Sequence, residues 1–159
     1  MPSKPKANKP ASHDLQPARQ AQILQPSLLA TIDLALVLKQ LHWNLRGTKF
    51  QIVHEFLDLV IDAARATSDA IAERIVTVGE PAHGLAHDVA KSNTNTVPDG
   101  FVTDTQAVEL ASAALAATIN TLRDAQQAIA DIDAVSEDLV IGSIQTFEKQ
   151  HWMLRSHLL

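Results

Sequence analysis

KQLHWNLRGTKFQIVHEFLDLVIDAARATSDAIAER, residues Lys39–Arg74, reads as the end of one helix, a short turn and most of a second helix. Gly47 is a natural C-terminal stop, since glycine takes the backbone conformation that closes a helix. His42 and His54 flank this turn, so antiparallel packing of the two helices brings their rings together. Asp69 and Glu73 are four residues apart, and both carboxylates point the same way from one turn of helix. Two imidazoles and two carboxylates without a thiolate suit a ferrous/ferric site. Asp69, however, lies 15 residues beyond His54, which is roughly 22 Å along a helix at about 1.5 Å per residue. One subunit cannot gather all four groups around one metal. A two-fold partner running antiparallel closes the gap, because its Asp69 end then lies beside this subunit's His54 end, giving two identical sites per interface. Relative to His54, the directions of Asp58, Asp62, Asp69 and Glu73 fall within about 100° at roughly 100° per residue. Taken alone, such a stripe equally describes a solvated face.

Outward from this stretch, the pattern predicts an all-α protein. A short helical lead-in is expected over Ala18–Leu24, with Pro26 in the first turn of a long helix that ends at Arg46; proline is favoured there because its missing N–H costs nothing. Leu28, Leu29, Ile32, Leu34, Leu36, Val37, Leu38 and Leu41 make that helix apolar nearly all round, as if buried on two sides. The second helix spans Phe50–Val78 and stops at Gly79, with Pro81 behind it. Thr103 and Gln106 have capping-box spacing and start a third helix, with Val108, Leu115, Ile119, Leu122 and Ile129 as its buried stripe. A fourth helix is expected from Ser136, with Glu137 and Asp138 in its first turn. The segment Gly79–Val102 is too long for a plain loop. It predicts a long crossover between the second and third helices, carrying a short helix near Leu85–Ala90, which is the ferritin-like pattern of four-helix bundle.

Composition agrees. The chain has 159 residues, 46% hydrophobic and 19% charged, with five glycines and no cysteine. Thiolate metal sites and disulfides are excluded, and one domain can bury a real core. No uninterrupted apolar run approaches the roughly 20 residues that span a bilayer, so no membrane association is expected, and a cytoplasmic protein is the default. The net charge of −5 is uneven. Residues 1–20 carry Lys4, Lys6, Lys9 and Arg19 against Asp14, a local balance of +3, which leaves −8 on the rest. The prolines, serines and lysines of residues 1–17 predict a flexible basic tail that cannot bury enough surface to order itself, ahead of a bundle domain over 18–159.

A conventional ferritin centre needs inward glutamates on two helices and Glu-x-x-His on the other two. The first helix here has no glutamate, and the second has no such motif. Glu148 and His151 match the spacing, but His151 falls on the apolar stripe of the last helix and reads as structural. His83 and His87 have i,i+4 spacing, yet Gly84 weakens any helix there, so a metal role is a minor alternative.

KQLHWNLRG (Lys39–Gly47), HEFLD (His54–Asp58), DAIAER (Asp69–Arg74) and EKQHWMLR (Glu148–Arg155) together resemble the Dps family, the DNA-binding proteins of starved cells, and the likeness covers nearly everything from residue 18 onward. The resemblance implies a hollow dodecamer with ferroxidase centres at two-fold interfaces. His42, His54 and Asp58 would be joined by Asp69 and Glu73 of the neighbour. Trp43 would sit beside the iron as an electron donor, and Lys39, one turn before His42, would support the ligands. It also implies Fe(II) oxidation, with hydrogen peroxide preferred to dioxygen, storage of Fe(III) mineral in the shell, and protection of DNA. Asp138 and Asp133 would resemble the acidic lining of three-fold pores. Lys4, Lys6 and Lys9, displayed twelve times, would engage DNA multivalently. The alternative reading is a DNA-compacting nucleoid protein with weak iron activity.

Overall fold

The computed structural model describes residues 16–92 and 95–158. The tail lysines Lys4, Lys6 and Lys9 therefore lie outside the described residues. Five helices and two short strands follow in order: α1 Pro17–Asn44, β1 Leu45–Arg46, α2 Phe50–Thr77, α3 Ala86–Ser92, β2 Val102–Thr103, α4 Asp104–Ile129 and α5 Ala134–Arg155. α1 packs on α2 and α4, and α5 packs on α4 and α2, which makes the four-helix bundle. The segment between α2 and α4 is the expected long crossover, and α3 is its short helix.

Local chemistry sets most boundaries. Gly79 has φ +106. Its N–H donates to the Val76 carbonyl and the Glu80 N–H reaches back to Ile75, the paired bonds of a Schellman stop. Thr103 and Gln106 form the predicted capping box at the start of α4, satisfying two N–H groups that a helix start otherwise leaves open. The core is aliphatic, with Leu34, Leu38, Leu57, Ile61, Ile71, Leu115, Leu122 and Phe147 all at 1% exposure or less.

Two expectations need correction. The lead-in and first helix are one helix: Pro17 holds the first position, and Pro26 sits in the interior. An interior proline costs about 3 kcal/mol. Full burial of Leu24 and Leu28 offsets that cost at about 1.5–3 kcal/mol each. α5 starts two residues before Ser136. Asp133 is its N-cap, accepting from the Val135 N–H, while Ser136 is fully buried and donates to Asp133. The all-α architecture stands as expected, with one small addition between the helices. β1 and β2 form a two-residue parallel pair, Leu45 opposite Val102 and Arg46 opposite Thr103. This pair ties the end of the crossover to the α1–α2 turn.

α1 is also long and apolar enough, by length and composition, to cross a bilayer, although no unbroken apolar run suggested it. Its packing against α2 and α4 makes it the central helix of the bundle, with Asp33 and His42 among its buried residues.

Candidate metal centre

The α1–α2 turn is clasped by the start of α4. The Asp104 carboxylate accepts the Lys49 N–H at 2.7 Å and the Thr105 N–H at 2.8 Å. Gly47 has φ +150, and a Cβ there would run into the Asp104 carboxylate. Glycine is thus required twice over, for its backbone angle and for the close approach. The clasp fixes how the last turn of α1 meets the first turns of α2.

Within that frame, His42 and His54 hold each other by reciprocal bonds. His42 Nδ1 lies 3.1 Å from the His54 carbonyl, and His54 Nδ1 lies 3.1 Å from the His42 carbonyl. A carbonyl can only accept, so each pair requires the proton on Nδ1. Both Nε2 atoms are then left with free lone pairs, the tautomer that suits metal ligation. The rings stack with centroids 3.6 Å apart and planes at 21°. His42 is 6% exposed. Burial pulls its pKa below the usual histidine value, against the opposing pull of the His54 carbonyl and the Asp58 charge. A neutral imidazole is therefore the resting form at neutral pH.

Asp58, one turn after His54 on α2, completes a three-residue group. One ligand atom from each of His42, His54 and Asp58 lies within 4.8 Å of the others. Lys39 donates to Asp58 Oδ1 at 2.6 Å, and this bond chiefly holds the Asp58 carboxyl below the ordinary carboxylate range. His42 Nδ1 is 3.4 Å from the same oxygen. The lysine is thus a direct partner of a candidate ligand, a contact that spacing alone could not assign.

The other half of the predicted set is elsewhere. Asp69 and Glu73 are exposed on α2 beyond Asp58, outside the His42–His54–Asp58 group. Trp43, beside His42 in the chain, is 65% exposed. Asp138 is exposed in the first turns of α5. Asp133 is engaged by Arg74 at 2.6 Å as well as by the Val135 amide and Ser136. His151 bonds Ser112 Oγ at 2.8 Å, so it has a partner that its place on an apolar stripe did not suggest, and Glu148 pairs with Arg123. His83 lies before α3 starts and His87 inside it, so helical i,i+4 spacing does not apply to them. Phe50, stacked on His54, was not singled out by sequence reasoning; its position one turn before a histidine was the available signal.

The ferritin-like domain family matches residues 21–159. The chain is 34% identical over 139 residues to the fine tangled pili major subunit of Haemophilus ducreyi, spanning 87% of this chain and 74% of that protein. It is 34% identical over 153 residues to the DNA protection during starvation protein of Mycolicibacterium smegmatis, spanning 94% and 82%. The structure of Dps from Microbacterium arborescens in the high iron form superposes with a TM-score of 0.88 at 30% identity, over 95% of this chain and 99% of that one.

Proposed function

We propose a function from one premise: the chain belongs to the Dps family of ferritin-like proteins. Iron storage and protection of DNA follow in general terms from that membership. The finer reading is a ferroxidase whose substrate is Fe(II). The observation that carries it is the His42–His54–Asp58 group, in which both imidazoles have Nδ1 engaged and Nε2 free.

In this reading each subunit supplies half of a centre. His42, His54 and Asp58 come from one copy, and Asp69 and Glu73 come from a second copy across a two-fold axis. Support comes from distance: Asp69 is roughly 22 Å along α2 from His54 at about 1.5 Å per residue. The neutral His42 imidazole binds without first losing a proton, and the carboxylates balance the metal charge. Two ferrous ions give up one electron each to one hydrogen peroxide, which takes both electrons and two protons and leaves as two waters. Delivering the electrons as a pair avoids hydroxyl radical. Lys39 keeps Asp58 charged and oriented before the metal arrives. Trp43, next to His42 in the chain, would supply an electron when only one ferrous ion is bound.

Ferric mineral would then collect inside a hollow dodecamer. Asp138 would draw Fe(II) through a three-fold pore, and Asp133 would hold the start of α5 beside it. The acidic body favours cation uptake. Lys4, Lys6 and Lys9 would carry DNA contact in a cytoplasmic, nucleoid-associated assembly, with the tail over 1–17 and the bundle domain over 18–159. Deleting residues 1–16 should abolish salt-sensitive DNA retention; unchanged retention would remove the tail from this account. The ferroxidase reading is tested by stopped-flow Fe(II) oxidation with peroxide and with dioxygen, wild type against the His42→Ala/His54→Ala variant. Rapid oxidation lost in the variant is expected, and equal rates would overturn the reading.

A further inference from the structure

Phe50 is the first residue of α2 and lies one turn ahead of His54. Its ring stacks on the His54 ring with centroids 4.9 Å apart and planes at 28°. One face of an imidazole has room for one stacked ring, so Phe50 and His42 occupy opposite faces of His54. Phe50 is 42% exposed, which makes it a poor core filler. Its backbone is fixed independently: its N–H bonds the Gly47 carbonyl at 3.2 Å, within the turn that Asp104 clasps through the Lys49 N–H.

We propose that Phe50 is a positioning residue for His54, closing the ring's second face so that Nε2 points to one place. The proposal rests on the reading of His54 as an iron ligand. His54 is partly exposed, unlike buried His42. The bond from His54 Nδ1 to the His42 carbonyl sets which nitrogen carries the proton, but a single bond leaves the ring free to swing about it. Stacking on both faces removes that freedom. Phe50 also sheds water from one side of the ligand, which strengthens the ligand's interaction with a cation. Each element of the chain Asp104, Gly47, Phe50, His54 thus fixes the next.

The test uses the assembled full-length protein and Co(II), which binds like Fe(II) but is not oxidised by air. Calorimetry and the visible Co(II) spectrum report affinity and ligand field; light scattering reports assembled mass. Supporting groups around a metal ligand typically contribute 10–100-fold in affinity, so Phe50→Leu should bind Co(II) at least about tenfold more weakly at unchanged mass, with Phe50→Tyr within about twofold of wild type. A purely structural role would change mass or thermal midpoint and leave the Co(II) spectrum of the bound form alone. If Phe50→Leu fails to assemble, Phe50→Met, which keeps most of the volume without the flat face, takes its place. A crystal structure of the metal-free variant gives a readout independent of metal: the His54 ring should leave the His42 carbonyl or split between two positions. Wild-type Co(II) affinity in the assembled Phe50 variant, or an unmoved His54 ring in its crystal structure, would overturn the proposal. If wild type and the His42→Ala/His54→Ala variant bind Co(II) alike, the ligand reading itself fails, and the crystal structure alone decides what Phe50 does.

Discussion

The two ends of α2 carry the two halves of the candidate centre, and they are built differently. At the start, His54 is stacked between Phe50 and His42, and Asp58 is bonded to Lys39. At the far end, Asp69 and Glu73 stand exposed. The first half is finished by folding of the single chain: burial, carbonyl bonds and stacking fix each donor before any metal arrives. The second half is a pair of exposed carboxylates spaced one helical turn apart on α2. Such a difference is what a shared centre needs. In the proposed centre the preorganised half would supply geometry and the exposed half charge, and only an assembled pair would hold both.

The comparison breaks most visibly at the imidazoles. Replacing both His42 and His54 with alanine removes donors themselves, so Fe(II) oxidation should fall by more than the roughly 100-fold that losing a supporting group costs. Stopped-flow absorbance checks this, with gel filtration showing that assembly survives. Loss of the Asp69 and Glu73 carboxylates, as Asp69→Asn/Glu73→Gln, should lower the rate strongly while leaving thermal stability within about 0.5 kcal/mol, as for surface changes. That separation of activity from stability is the signature of groups with no role inside their own subunit.

A third, smaller effect concerns acid. Burial lowers the His42 pKa below the ordinary histidine value. The competing proton therefore takes hold only at more acid pH than for an exposed histidine. The His42 contribution to Co(II) affinity should stay level from pH 8 down to about the ordinary histidine value near 6.5, and decline below it. A fall centred above that value would contradict the assignment. The smallest effect belongs to Lys39. Its bond depresses the Asp58 pKa, so the pair contributes stability above the ordinary aspartate value, and loses it as pH falls through the depressed one. Asp58 is 44% exposed at its side chain, so Lys39→Met should cost only about 0.5–1 kcal/mol at pH 7. Thermal midpoints at pH 7 and pH 3 check this, with the gap between variant and wild type closing at the lower pH.

Much of this was legible in the sequence because the features involved are local. Gly79 and the Thr103–Gln106 pair act within one helical turn, and the stop and the start form as spacing predicts. The closeness of His42 and His54 followed from a short turn, and the remoteness of Asp69 from the rise of a helix. The misreadings share a different cause. Pro26 by itself favours a first turn, and only its buried neighbours Leu24 and Leu28 hold it in a helix interior. Asp133 and Ser136 are both good caps, and burial of Ser136 against Arg74 chose between them. The β1–β2 pair, the Asp104 clasp and the Phe50 stack join residues brought together by the fold or by rotamer choice, which no spacing rule encodes.

The claim that the two ends of α2 meet across subunits is tested most directly by mixing. The His42→Ala/His54→Ala chain and the Asp69→Asn/Glu73→Gln chain are each expected to be inactive alone. Co-expressed in equal amounts, they form hybrid pairs in which one site regains a full set of donors, so oxidation should return to about a quarter of wild type for random two-fold pairing. Hybrid shells as inactive as either parent would contradict the shared centre.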